Sequence, residues 1–330
     1  MNVLMFSPYK SLHSIGRYAT YLIDNCFGNE NDVNLTVKNI TIDTTTNNDV
    51  SNIDKYSEVY SKYDYIIHHC RYEYINYIPG AKNVWIPIIH NLSNIQDPYL
   101  NEYLKNIDLI CTENKFTEMV LARSIDCVDK IKRFEFEISD SNKQEVPKIN
   151  FNKYNSSHKY YTILDFNVDQ LCLLNLIKNF AAIFRNNDDH LLSILTSCSQ
   201  EQYEQINTLL KELTVELNLN KDISNIKIYS TQNISIQDTI PLHNSCDTFL
   251  DIAYNTENIH KYLAKLYGSN IVDKIDTDYS DSYGYRNGSC FDYKNQTYAM
   301  VSDSFEKIFN ITKTKTYNAE PNLMEILRAQ

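Results

Sequence analysis

The sequence predicts an α/β protein made of two doubly wound domains. Three observations point there. Short apolar runs alternate with segments of helical period along most of the chain. Several runs, such as 63–69, are apolar without a polar face, as strands covered on both sides of a parallel sheet are. The alternation breaks once, at 139–158, in a stretch rich in Ser, Asn and Lys, and then starts again.

The elements follow in order. An apolar strand at 3–7 runs into a loop at 8–14, and a helix at about 16–26 carries Ile15, Tyr18, Leu22 and Ile23 near one face. Strands are expected at 34–40, 63–69, 82–90, 109–112 and 131–137, with a helix at 114–123 that Asn114 could cap. After the break, strands are expected at 160–166, 191–196, 226–229, 248–252 and 270–273. Helices fall at 169–184, 201–217, 259–267 and 320–328, with a short one inside 236–245. Alternating strands and helices imply parallel βαβ units. At roughly 100–200 residues per domain, two domains are expected. The expected division is a Rossmann-like domain at 1–145, a linker at 146–158, a second Rossmann-like domain at 159–315, and a C-terminal helix at 316–330 that packs back on the first. The halves share their element order without a repeat of fixed period.

Composition excludes some functions. The hydrophobic fraction of 43% and charged fraction of 22% are those of a globular chain, not a disordered one. The net charge of −11 disfavours broad binding to a nucleic-acid backbone, which needs basic patches to release counterions. The densest basic run is Lys130–Arg133. Eight cysteines are scattered, none at the spacing of a zinc knuckle or redox pair, so buried reduced thiols and no structural metal or disulfide are expected. There is neither a signal-peptide pattern nor a run of ~20 apolar residues, which points to a cytoplasmic protein with no membrane span. The abundance of Asn, Ile, Tyr and Lys fits an AT-rich genome, viral, phage or bacterial.

Four segments carry a resemblance. They are Ser14-Ile15-Gly16-Arg17-Tyr18, the strand ending Ile88-Ile89-His90-Asn91, the segment 109–121, and the pair 245–250 with 263–272. In this order they resemble the GT-B glycosyltransferases, closest to the retaining group that includes sucrose-synthase-like and lipopolysaccharide glycosyltransferases. The resemblance implies two Rossmann-like domains with a cleft between them. It implies a nucleotide-sugar substrate, no cofactor and no metal, and transfer to an acceptor that could be a saccharide, a protein or a modified DNA base.

Gly16 would let a diphosphate approach the first helix N-terminus, where N–H groups are unpaired; its other reading is a tight loop–helix entry. His90, ending a strand, would lie beside the transferred sugar, and of His68 and His69 one would face the cleft and one the core. The sequence also departs from the resembling family. The positions expected to hold its Arg and Lys fall near Phe166 and Leu171, and those of its two Glu residues near Asn255 and Leu263. Glu257 is the carboxylate close by, and would hold a donor hydroxyl. Arg17 and Arg286 are the candidates to replace the missing cations, because a guanidinium suits a bidentate phosphate contact. The catalytic candidates are therefore His90 and Glu257, and the donor-binding candidates Gly16, Arg17 and Arg286. Because the diphosphate positions are not basic, a non-catalytic binding module or partner subunit is the alternative, in a homo- or hetero-oligomer; a two-domain epimerase is a third reading.

Overall fold

In the computed structural model, eleven described strands form two all-parallel sheets. The structure describes all residues except 12–13, 29, 42–52, 54, 90–94, 96, 114, 137, 139–142, 147, 152–155, 185–188, 217–224, 233, 253–257 and 274–320. The chain divides into two units. One comprises Met1–Ser139, Asn255–Ile259 and Thr316–Gln330, and the other Asp140–Tyr254 and His260–Lys315.

The first unit holds β1 (Asn2–Ser7), α1 (Ser14–Phe27), β2 (Asn34–Asn39), β3 (Tyr65–Cys70), β4 (Lys82–Pro87), α2 (Leu100–Leu104), β5 (Leu109–Thr112), α3 (Lys115–Ser124), β6 (Ile131–Arg133) and α8 (Leu323–Arg328). Its sheet order is β2-β1-β3-β4-β5-β6. α1 buries Ile15, Tyr18, Ala19, Leu22 and Ile23, the i, i+3, i+4, i+7, i+8 stripe of a helix lying on a sheet. All six residues of β3 are buried, as its continuous apolar run requires. Trp85 of β4 is fully buried and donates its indole N–H to the carbonyl of Cys70 at 2.8 Å. That bond makes the burial of a polar edge tolerable.

Three strands of this unit depart from their expected bounds by two residues or more, each for a visible reason. β3 starts at Tyr65 rather than 63, because Tyr63 turns its hydroxyl to the backbone N–H of Tyr60 at 3.1 Å and Asp64 accepts the N–H of Asn2 at 2.7 Å. β4 ends at Pro87 rather than 90, where its partner β3 ends at Cys70, whose carbonyl accepts the Ile88 N–H at 3.1 Å. β6 stops at Arg133 because Glu135 leaves the sheet to bridge Asn322, its N–H donating to the carbonyl of Pro321 at 3.0 Å. α2 was not foreseen, although Leu100 and Leu104 are buried at helical spacing.

α8 belongs to this unit. The Tyr65 hydroxyl donates to the carbonyl of Leu327 at 2.7 Å, and Leu323, Met324, Ile326 and Leu327 are buried. Asn322 and Glu325 form a capping box that satisfies its first N–H groups.

The second unit holds β7 (His158–Asp165), α4 (Phe166–Ile183), β8 (His190–Ser197), α5 (Gln200–Glu216), β9 (Ile226–Thr231), α6 (Ile236–His243), β10 (Thr248–Asp251), α7 (Ile259–Leu266) and β11 (Asn270–Asp273), with sheet order β11-β10-β7-β8-β9. α4 presses Leu173, Leu176, Ile177 and Phe180, all fully buried, onto the sheet. At about 1.5–3 kcal/mol per large apolar side chain, this face is a main support of the unit. Phe166, expected to end the strand, is the first residue of α4: Asp169 accepts the Asp165 N–H at 3.0 Å, so the strand turns directly into the helix.

Candidate functional site

Both sheets reverse their strand order once. In the first unit the chain goes from β1 outward to β2 and returns to β3, so the reversal lies between β1 and β3. In the second it lies between β7 and β10. In open α/β sheets, ligands settle outside the carboxyl ends of the strands at such a reversal. Each unit therefore has its own candidate edge, built from two strand ends.

At the first reversal stand Ser7, the last residue of β1, and His69, near the end of β3. Register pairs Phe6 with His68 and so sets Ser7 beside His69. Ser7 Oγ and His69 Nδ1 are 2.8 Å apart, and both residues are fully buried. The edge of the Tyr18 ring approaches the His69 imidazole at 5.7 Å between centroids. Burial alone drives the His69 titration down to about 3, so the ring is neutral at physiological pH. His69 Nε2 is buried without a hydrogen-bond partner.

His68, on the opposite face by strand alternation, is also fully buried. Its Nε2 meets Asn83 Oδ1 at 3.2 Å and its ring stacks on Phe6 at 5.7 Å. Asn83 also donates to the carbonyls of Ile78 and Ala81 and accepts the Ile78 N–H, so His68 belongs to a structural network. Thr112 ends β5 and is buried as well. The Cys70 thiol beside His69 is pushed upward by burial and by Glu73, which keeps it protonated and poorly nucleophilic.

α1 begins next to this edge. Gly16 is buried in its first turn, and the place where a side chain would stand is filled: a Cβ there would lie 2.0 Å from the Ser11 carbonyl oxygen. The Ser11 N–H in turn donates to the Pro8 carbonyl at 3.0 Å. The tight loop–helix entry by itself requires a glycine here. Arg17 follows it, half-buried. The other three candidates, His90, Glu257 and Arg286, lie outside the described residues.

The second edge has different chemistry. Its strand ends read Asp165, Ser197, Thr231, Asp251 and Asp273, none of them basic. Asp251 and Asp169 are buried, and Asp169 sits in the first turn of α4. A carboxylate there already complements the positive helix end that a phosphate would otherwise use. Leu263, where the resembling family carries a Glu, is a buried core residue of α7. Lys178 lies within α4, well after its first turn. The first edge thus offers neutral hydroxyl and imidazole groups, and the second offers carboxylates, which accept hydrogen bonds from sugar or ribose diols.

The Ser7–His69 pair was not foreseen as a pair. The signal was partial: each residue ends an apolar strand, but their contact spans 62 residues of sequence.

Among the described residues, no group of three His, Cys, Asp or Glu could hold a metal ion. The seven described cysteines are free, and Cys290 lies outside the description. No described helix is long and apolar enough to cross a membrane.

No family model matches the chain, and no curated protein matches it in sequence. Solved structures do. A glycosyltransferase from Rickettsia africae superposes with a TM-score of 0.50 at 14% identity, covering 95% of this chain and 89% of that one. The apo structure of OtsA gives 0.52 at 8% identity, covering 94% and 92%. Anabaena HepE, solved with UDP-glucose, gives 0.50 at 12% identity, covering 82% and 79%. At these identities the likeness speaks for architecture alone, and with the two parallel sheets it establishes a two-domain Rossmann-like α/β fold of the GT-B kind.

Proposed function

We propose that the chain is a glycosyltransferase that moves a sugar from a nucleotide-sugar donor to an acceptor. The observation that carries the reading is the pair of parallel sheets, each reversed once, in an architecture matched over nearly the whole chain by a glycosyltransferase. In this reading the donor uses the second unit and the acceptor the first. The carboxylates Asp165 and Asp251 stand where ribose or sugar hydroxyls would be gripped. Transfer proceeds with retention and without a cofactor or metal. It is driven by substrate positioning and stabilisation of an oxocarbenium-like centre more than by a strong base. His90 serves beside the transferred sugar, Glu257 holds a donor hydroxyl, and Arg17 and Arg286 supply the cations that a diphosphate needs.

A second reading has its own support. β7 passes directly into α4, with Asp169 in the first turn and no basic residue at the strand ends. That arrangement favours a non-catalytic GT-B-like binding or partner subunit. The deciding experiment is thermal stabilisation by UDP, GDP, ADP and their hexose conjugates, followed by a transfer assay. A bound nucleotide at a hundred times its dissociation constant should add about 2.7 kcal/mol of stability. Arg17→Ala and Arg286→Ala, singly and together, should weaken it by about tenfold, 1.4 kcal/mol. Stabilisation without transfer would leave the binding-subunit reading standing, and no stabilisation by any nucleotide would end the transferase reading.

A further inference from the structure

The first unit carries a group of tyrosines that its core does not use. The chain leaves β3 into a short 3-10 turn, Tyr72–Tyr74, against which α2 packs. Tyr74 is 46% exposed, Tyr99 60% and Tyr103 42%. Tyr99 and Tyr103 lie one helical turn apart, the Tyr103 N–H donating to the Tyr99 carbonyl at 3.1 Å, so they share one face of the helix. The Tyr72 and Tyr103 rings sit 5.8 Å apart at 52°, tilted rather than stacked.

Asp97 ties the two elements together: its carboxylate accepts the Tyr99 N–H at 2.8 Å and bonds the Tyr72 hydroxyl. Asp97 thus fixes the Tyr72 hydroxyl and the backbone at Tyr99, while the Tyr99 and Tyr103 rings face solvent. An isolated exposed tyrosine needs no explanation. Exposed Tyr99 and Tyr103 on one helix face, with half-buried Tyr72 lying against Tyr103, form a surface beyond the carboxyl end of β3.

We propose that Tyr72, Tyr99 and Tyr103 form a stacking platform for the pyranose rings of a neutral saccharide. Calling that saccharide the acceptor rests on the glycosyltransferase reading; the binding itself does not. A sugar ring has an apolar C–H face and a rim of hydroxyls. Tyrosine meets both, with an apolar ring and a polar tip, and loses little side-chain entropy in doing so. The surrounding charges select among partners. Glu73, Asp97 and Glu102 are carboxylates, and Arg71 is held by Glu73 at 2.8 Å. Carboxylates accept hydrogen bonds from hydroxyl pairs and repel the phosphates of a nucleic acid. The core of a protein-binding patch is depleted of such charges, whereas here they alternate with the rings.

The test uses the full chain. Maltotriose, cellotriose, chitotriose and mannotriose are each followed by saturation-transfer NMR at millimolar concentration, with oligothymidylate and a basic peptide as competing probes. UDP binding is measured on the same samples. At least one trisaccharide should receive saturation. The double variant Tyr99→Ala/Tyr103→Ala should weaken it by about tenfold, Tyr103→Phe should retain it, and Tyr229→Ala, an exposed tyrosine of the second unit, should leave it unchanged. UDP binding should be the same in all of them. The platform is overturned if no trisaccharide binds, if the peptide or oligothymidylate is the probe that binds, or if the double variant binds sugar like the wild type. Tyrosine-dependent sugar binding without UDP binding keeps the platform and removes the transferase reading; UDP binding without sugar binding does the reverse.

Discussion

Two buried histidines make the same local arrangement in different places. His69 in the first unit takes the hydroxyl of Ser7 on Nδ1 at 2.8 Å; His243 in the second takes the hydroxyl of Tyr161 on Nδ1, also at 2.8 Å. Burial drives both titrations down to about 3. Yet His69 stands at the carboxyl end of β3, where a reversed parallel sheet receives ligands. His243 ends α6 and shares the Tyr161 hydroxyl with Ser269, the residue before β11, at the amino ends of the strands. Its ring packs between those of Tyr161, Phe249, His260 and Tyr267. Residue type and chemistry are equal; place in the sheet separates a site candidate from a core polar group.

The largest expected effect is common to both and tests whether they are equal. Each imidazole is neutral when folded down to about pH 3, but in the unfolded chain it binds a proton below its ordinary value of 6.5. The unfolded state therefore binds more protons between these limits, and stability falls as pH drops from 6.5 toward 3. Each histidine contributes a slope of up to about 1.4 kcal/mol per pH unit. Denaturant melts of His69→Phe and His243→Phe across that window should each show a shallower loss than the wild type. An unchanged slope in one of them would break the equivalence.

A glycine in each unit sharpens the contrast of place. Gly16→Ala should cost about 2 kcal/mol or more, because its Cβ would meet the Ser11 backbone at 2.0 Å, and backbone cannot rotate away. Gly268 precedes Ser269 at the other edge with φ +81° and open space around it, so Gly268→Ala should cost only about 1 kcal/mol of backbone strain. Chemical denaturation of both variants measures the difference.

Removing each hydroxyl separates stability from function. Ser7→Ala and Tyr161→Phe each deprive a buried Nδ1 of its partner, at a cost of about 1–3 kcal/mol. Ligand binding per folded molecule, measured for UDP and the trisaccharides, should change in Ser7→Ala and stay the same in Tyr161→Phe. Equal binding in both would reduce His69 to a core residue like His243.

The smallest effect is expected at the C-terminal helix of the first unit. Arg328 bridges Glu30 at 2.6 Å and Asp32 at 2.7 Å, but it is exposed. Arg328→Ala should lower the melting temperature slightly at low salt and not at all at high salt, since exposed pairs are screened.

Much of the fold was legible in the sequence because its signals are local. The period of Ile15, Tyr18, Leu22 and Ile23 marked α1, the unalternating run of β3 marked a strand covered on both faces, and the order of elements marked two parallel sheets. Strand ends were less legible where a distant partner decides them, as the end of β3 at Cys70 does for β4 and Asn322 does for Glu135 after β6. The site was legible only in part. Gly16 stands out in the sequence for its position, but Ser11 folding over it is a contact that the residue pattern does not contain. Ser7 carries no local signal because its partner is 62 residues along the chain.

The sequence by itself determined the elements, their alternation and the parallel class, because helix and strand periods are written in neighbouring residues. Tertiary structure alone decided what those elements bring together. It set His69 beside Ser7 across 62 residues and the C-terminal helix against Tyr65 across 262, and it laid Tyr103 against Tyr72. Such meetings depend on strand order and register. Those are chosen by the summed packing of whole faces, which no short stretch of sequence specifies.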